Sequence, residues 1–311
     1  GIQRVIRYLG KRVGAGAVSL LCLITLTFFL VHFMPGTPFD AGNVSEQILL
    51  VLEHKYGLDQ PVSVQYFRYM GMIFSGDFGI SMKKQGVAVN QLIMRCIPVT
   101  ARLGISAFLL ACILGAALGG IGYRRKGSWI AVVCRGIRST AIAIPNYVYG
   151  LGFMLIFGVW LKWFPIAGIA TGKNYVLPVL SLALYPAGTI ATMVEAALIE
   201  EEKKEYVVLL RAKGLTSAEI LRHHFVKPVF LQVLPYLGQL LAYLLTGCFV
   251  IENIFTIPGL GREFVTAITN RDYTVIMGLT IFMGIVVTGV QLVADILQKM
   301  LDPRIRNEGT Y

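Results

Sequence analysis

The stretch of this chain nearest to a phosphate-binding loop is Gly168-Ile-Ala-Thr-Gly172-Lys173-Asn174. Cradling a phosphate needs the GxxxxGK[ST] spacing, which turns backbone N–H groups toward the anion and brings a lysine to its far end. That spacing is missing, so the stretch reads as a flexible turn. If ATP drives this protein, another chain binds it. Metal and hydrolytic chemistry are no better supported. His223 and His224 are adjacent, so on a helix their side chains diverge by about 100° and cannot share one ion. His32 and His54 lack partners at ligand spacing, and neither GxSxG nor HExxH occurs. The five cysteines (Cys22, Cys96, Cys112, Cys134 and Cys248) form no CxxC pair and read as small hydrophobes. No catalytic residue, metal site or cofactor is expected in this chain.

Acids at membrane depth would mark an ion-coupled carrier. Glu195, Glu252 and Asp295 each fall at the edge of an apolar block, none at its centre, and read as interfacial and hydrogen-bonded. The paired, interrupted half-helices of secondary transporters are not evident. Neutral polar groups are the better candidates for a translocation path. Asn146, Tyr147, Tyr185, Thr189, Tyr243 and Thr246 lie in or beside apolar blocks that also carry Pro145, Pro186 and Pro235. Proline can kink helices that border a cavity, whereas the plainer role for the polar groups is hydrogen bonding between helices. Gly115 and Gly119 form a GxxxG pair, which reads as close helix packing.

The elements that must position these residues are membrane spans. The chain has 311 residues, 56% hydrophobic and 14% charged, against about a quarter charged in soluble domains. Six charge-free stretches reach the roughly 20 residues needed to cross a hydrocarbon core. They are Val13–Met34, Leu103–Tyr123, Ser139–Leu161, Tyr175–Val194, Pro228–Ile251 and Tyr273–Ala294. The first is too long for a cleaved signal and is expected to remain as an anchor.

The formal net charge of +11 is distributed between the blocks and not along one amphipathic face, which points to topology and lipid headgroups and away from nucleic acid. Arg124, Arg125 and Lys126, then Lys203, Lys204, Arg211 and Lys213, then Lys299, Arg304 and Arg306 all fall on one side if the N-terminus is cytoplasmic. Both termini are therefore expected inside. Residues 1–34 make an N-terminal segment and first span, 35–102 an extracytoplasmic domain, and 103–311 a core of five further spans. A cytoplasmic loop at 199–227 reads as helix, turn, helix. Glu200–Lys213 is rich in helix formers, Gly214 suits a stop, and Thr216 with Glu219 forms a capping-box pattern.

That loop carries Glu205-Tyr206-Val207 and then Arg211-Ala212-Lys213-Gly214-Leu215. It resembles the ATPase-coupling loop of permease subunits of bacterial ABC importers, in the peptide and nickel branch. The more general form of that motif, with Glu-Ala-Ala ahead of the glycine, is absent, because Val208, Leu209 and Leu210 stand there. Further segments are similar to the same family: Pro35-Gly36-Thr37-Pro38-Phe39, Lys55-Tyr56-Gly57-Leu58, Gly76-Asp77-Phe78-Gly79, Pro258-Gly259-Leu260-Gly261, Asn270-Arg271-Asp272-Tyr273 and Asp302-Pro303-Arg304-Ile305-Arg306. The resemblance runs along essentially the whole chain, and is strongest to the first of the two permeases of oligopeptide importers. It implies an all-α integral membrane protein with six transmembrane helices in the type I ABC importer permease fold, with an outer domain between helices 1 and 2. It implies a heterodimer with a second permease, two ATPase subunits that bind ATP and magnesium, and an extracytoplasmic substrate-binding protein or lipoprotein. It also implies a peptide cargo and residence in the bacterial inner membrane. Nickel, metallophore, dipeptide and glutathione importers share this architecture, and an ion-coupled carrier is the more distant alternative. Where family members carry an arginine near the inner end of span four this chain has Glu195, and no role is carried over to it.

Overall fold

The computed structural model describes residues 2–34, 50, 51, 53, 54 and 56–301. The Pro35–Phe39 and Asp302–Arg306 segments, and Lys55, lie outside the described residues. The described residues are helical apart from turns and one isolated antiparallel bridge, Ile80 to Ala88. In chain order the helices are α1 (Ile2–His32), α2 (Val62–Phe74), α3 (Val89–Arg124), α4 (Trp129–Ala143) and α5 (Asn146–Phe153). They continue as α6 (Val176–Glu202), α7 (Glu205–Ala212), α8 (Ser217–Ile220), α9 (Val226–Leu245), α10 (Phe249–Ile254), α11 (Leu260–Asn270) and α12 (Tyr273–Leu301). Wider π-helical turns extend α5 over Met154–Trp160 and join α8 to α9 over Leu221–Phe225.

Among the described residues, five continuous stretches are long and apolar enough to cross a membrane: Gly10–His32, Val89–Arg124, Gly172–Glu202, Ser217–Ile254 and Tyr273–Leu301. The sixth is a bent pair, Trp129–Ala143 and Asn146–Trp160, whose axes meet at 98°. Within the predicted Ser139–Leu161 span, where Pro145 was one of three prolines expected to be able to kink a helix, the structure places a bend at Pro145. Proline disfavours the helical conformation in the residue before it, and Ile144 is extended at φ −96°, ψ 124°. Pro98, Pro186 and Pro235 stay inside their helices. The bend is therefore set by local context and not by proline alone.

The chain divides into two compact units, residues 1–99 with 259–288 and residues 100–258 with 289–311. In the first, Val31, Val89, Leu92, Ile93, Leu260, Tyr273 and Leu279 form one buried cluster, with Ile24, Phe28, Tyr69 and Ile281 in another. The loop between α2 and α3 is pinned by two polar side chains. Asn90 accepts from the Phe78 N–H at 2.9 Å and donates to the Gly76 carbonyl at 2.7 Å. Asp272, only 3% exposed, accepts from the Ser81 hydroxyl and from the Met82 N–H at 3.1 Å, at the start of α12. Lys84 pairs with Glu263 of α11.

In the second unit α6 is the buried centre, packing on α4, α5 and α9. The GxxxG pair of α3 serves this packing. A Cβ on Gly115 would lie 2.6 Å from Ile190 Cβ, and one on Gly119 would lie 2.6 Å from the Ala191 carbonyl oxygen. Large apolar side chains such as Leu109 and Ile113 point outward, as expected where lipid and not water is the solvent.

Candidate functional site

The loop between α6 and α9 departs from the predicted helix, turn, helix in one respect. The sequence reads Glu200–Lys213 as continuous, but α6 ends at Glu202 and Lys204 is extended at φ −74°, ψ 144° before α7 begins. The break is stabilised from within. The buried Glu201 carboxylate takes a salt bridge from Lys204 and a hydrogen bond from the Tyr206 hydroxyl at 2.9 Å. Beyond α7 the turn chemistry is as the residues predict. Gly214 has φ +85°, its N–H donates to the Arg211 carbonyl at 3.0 Å, and the Leu215 N–H donates to the Leu210 carbonyl at 3.2 Å. That pair of bonds is the Schellman stop, and its accompanying apolar contact is supplied by Leu210 and Leu215 in one cluster. Thr216 and Glu219 then close a reciprocal capping box at the start of α8.

One face of this loop is packed and the other is bare. Val207, Ile220 and Phe225 are buried against Ala197, Leu198 and Val229. Glu205, Tyr206, Arg211, Ala212, Lys213 and Gly214 are exposed, while Leu215 is partly buried as the turn's anchor. Sequence reasoning missed two neighbours. Val208 and Leu209 are 71% and 56% exposed, so a helix of about two turns presents adjacent apolar side chains beside charged ones. The signal was visible as aliphatics where the general motif has a glutamate and an alanine. Arg211 also donates to Glu202 at 3.0 Å, and Glu202 pairs with Lys126 of the α3–α4 turn. These ion pairs tie α7 to the end of α6 and to the α3–α4 turn.

The second candidate is a cavity of about 400 Å³ lined by Pro145, Asn146, Leu182, Tyr185, Pro186, Tyr236, Gln239, Leu240 and Tyr243. Three predicted path residues, Asn146, Tyr185 and Tyr243, come together there. Thr189 is not on the lining, and its hydroxyl donates to the Tyr185 carbonyl at 3.2 Å. Tyr147 and Thr246 are not on the lining. Tyr147 is exposed, and the Thr246 hydroxyl donates to the Tyr243 carbonyl at 2.8 Å. Tyr236 and Gln239 were not anticipated, although with Tyr243 they follow helical spacing on one face of α9. The bend places Pro145 and Asn146, at the start of α5, on this cavity's wall. Every residue of the lining is uncharged, so its chemistry is neutral hydrogen bonding over an aromatic and aliphatic wall.

The acids at the span edges are more enclosed than the sequence suggests. Glu252, read as interfacial, is fully buried and accepts from the Thr100 hydroxyl at 2.9 Å. Glu195, its side chain 7% exposed, forms an ion pair with Arg138 and lies 3.9 Å from Arg135, both on α4. Gly122 leaves room for it, since a Cβ there would stand 3.1 Å from the carboxylate. The basic partners supply the counter-charge that a buried carboxylate requires.

Comparison with known proteins gives a consistent result. Residues 107–307 match the family described as binding-protein-dependent transport system inner membrane component, and residues 5–104 match its N-terminal membrane-component family. The chain is 36% identical over 302 residues to the dipeptide transport system permease protein DppB of Lactococcus lactis subsp. cremoris, covering 97% of this chain and all of that one. It is 34% identical over 305 residues to the oligopeptide transport system permease protein OppB of Salmonella typhimurium, with 97% and 100% coverage. Among solved structures, an inward-facing form of the MetNI methionine ABC transporter superposes with a TM-score of 0.59 at 17% identity, over 68% of this chain and 97% of that one. That likeness bears on the fold, which is the permease fold of ABC importers.

Proposed function

The chain belongs to the family of binding-protein-dependent transport system inner membrane components, and on that premise we propose that it is the first permease of an ATP-driven oligopeptide importer. It forms half of the translocation path and works with a second permease, two ATPase subunits and an extracytoplasmic binding protein or lipoprotein. It lies in the bacterial inner membrane with both termini cytoplasmic, an orientation supported by the lysines and arginines around α7 and the α3–α4 turn. The observation that carries the reading is α7. A short helix held by a Schellman stop and a capping box, with Val208 and Leu209 bare, is a surface shaped to enter a groove on another protein. ATPase closure pushing on Glu205, Tyr206, Arg211, Ala212, Lys213, Gly214 and Leu215 is transmitted through Val207, Ile220 and Phe225 to α6 and α9. That is a rigid-body switch between two access states.

The neutral cavity of Asn146, Tyr185, Tyr236, Gln239 and Tyr243 suits a peptide cargo. Amide and hydroxyl groups can bond a peptide backbone whatever charge its side chains carry. Among the similar proteins one is named for dipeptides and another for oligopeptides, so cargo length is the open variable. The test is to tag the chain, purify it from its own host's membranes in mild detergent, and identify what accompanies it by mass spectrometry. A second permease, ATPase subunits and a binding protein carrying peptide are expected. Recovery of the chain alone would overturn the reading. Uptake assays with di- to hexapeptides, glutathione and nickel then separate the cargo classes.

A further inference from the structure

A cavity of the first unit, about 710 Å³, belongs to neither candidate above. Its wall carries the side chains of Arg68 and Lys83, and among the described residues neither has an ion-pair or hydrogen-bond partner. The one acidic side chain on the wall, Asp77, is directed at its own loop, accepting the Gly79 N–H at 2.9 Å. The hydroxyl of Tyr69 is a second orphan. Tyr69 is only 7% exposed, lines the same cavity, and its oxygen is buried with no hydrogen-bond partner. A buried hydroxyl left unsatisfied is costly, so its presence on a cavity wall points to a missing acceptor. Gly57 keeps the cation in place. It has φ +69°, and a Cβ there would stand 2.8 Å from Arg68 Nη1.

Gln65 and Gln85 also line the wall, and its apolar part is drawn from the ends of long apolar helices. Phe28 lies one turn before the end of α1, and Thr274 and Met277 occupy the first turns of α12, with Met72 between. Helix α2, which supplies Arg68, Tyr69 and Met72, turns Val64, Phe67 and Phe74 outward on one stripe. Phe67 and Phe74 are 72% and 78% exposed, the pattern of a helix lying in the headgroup layer. We propose that this cavity binds an anionic phospholipid. Its phosphate is held by Arg68 and Lys83, its oxygens accept from Tyr69, and its acyl chains lie over Phe28, Met72 and Met277. Basic pockets bordered by membrane helices are the expected chemistry for such headgroups.

The full chain, purified in mild detergent, tests this by native mass spectrometry with added phosphatidylglycerol, phosphatidylcholine or inorganic phosphate. Phosphatidylglycerol should be retained over phosphatidylcholine. Arg68→Gln combined with Lys83→Gln should lower that retention by on the order of tenfold. Lys84→Gln, which removes a cation already paired with Glu263, should leave it unchanged. Equal retention of both lipids, or unchanged retention by the double variant, overturns the proposal. So does displacement of the lipid by an equal concentration of inorganic phosphate, which would make this a free-anion site. If the double variant elutes as misfolded, photocrosslinking of wild type with diazirine-bearing phosphatidylglycerol decides. Label on Met72 or Met277 supports the site, and label confined to other spans overturns it.

Discussion

Two loops of this protein are built with the same local devices and left in opposite states. The α2–α3 loop uses Asn90, Ser81, Asp272 and Lys84 to satisfy its turns, and each of these side chains is occupied within its own unit. The α6–α9 loop is just as well stopped and capped, by Gly214, Thr216 and Glu219, yet it keeps an outward row from Glu205 to Lys213 that includes bare Val208 and Leu209. Well-formed turns are therefore common to both loops, and what sets the α6–α9 loop apart is the adjacent apolar pair, Val208 and Leu209, that the fold leaves exposed.

Substitutions can break this contrast, beginning with the largest expected effect. Phe225→Ala removes a side chain 2% exposed from the cluster that also buries Val207 of α7, and should cost about 3–5 kcal/mol, read as a lowered midpoint of thermal unfolding in detergent. Uptake should fall with it, because α7 loses the floor that transmits its motion. Asp272→Ala strips the acceptor from Ser81 and Met82 and should cost about 1–3 kcal/mol, with earlier proteolytic cleavage between α2 and α3. Binding of the ATPase subunits should survive where the protein remains folded, which is the sharpest separation of the two loops. Gly214→Val places a branched side chain at φ +85°; no atom obstructs a Cβ there, so the cost is backbone strain of about 1–2 kcal/mol. Its measured signature should be weakened ATPase co-purification out of proportion to the shift in midpoint. Val208→Ser with Leu209→Ser should change stability by no more than about 0.5 kcal/mol, since both side chains are exposed, while abolishing ATPase co-purification. Normal co-purification of that double variant would remove α7 from the coupling role.

The spans, and the Gly214 stop with its Thr216–Glu219 cap, were legible because each depends on residues within a turn or two of one another. Charge-free length alone decides insertion, and a glycine followed by a capping pair decides where a helix ends and the next begins. The 98° bend was not legible, because Pro98, Pro186 and Pro235 sit unbroken in their helices and the sequence alone does not single out Pro145. Nor was the end of α6 at Glu202, where burial of the Glu201 carboxylate turns Lys204 and Tyr206 toward it. The sequence by itself determined an all-helical membrane protein, its span positions, and the turn that presents α7. Only the tertiary structure decided that Glu195 meets Arg138, that Tyr236 and Gln239 join Tyr185 around one cavity, and that Val208 and Leu209 face outward. These depend on which distant helices pack together and so on which side chains lose their solvent, a property that no window of neighbouring residues contains.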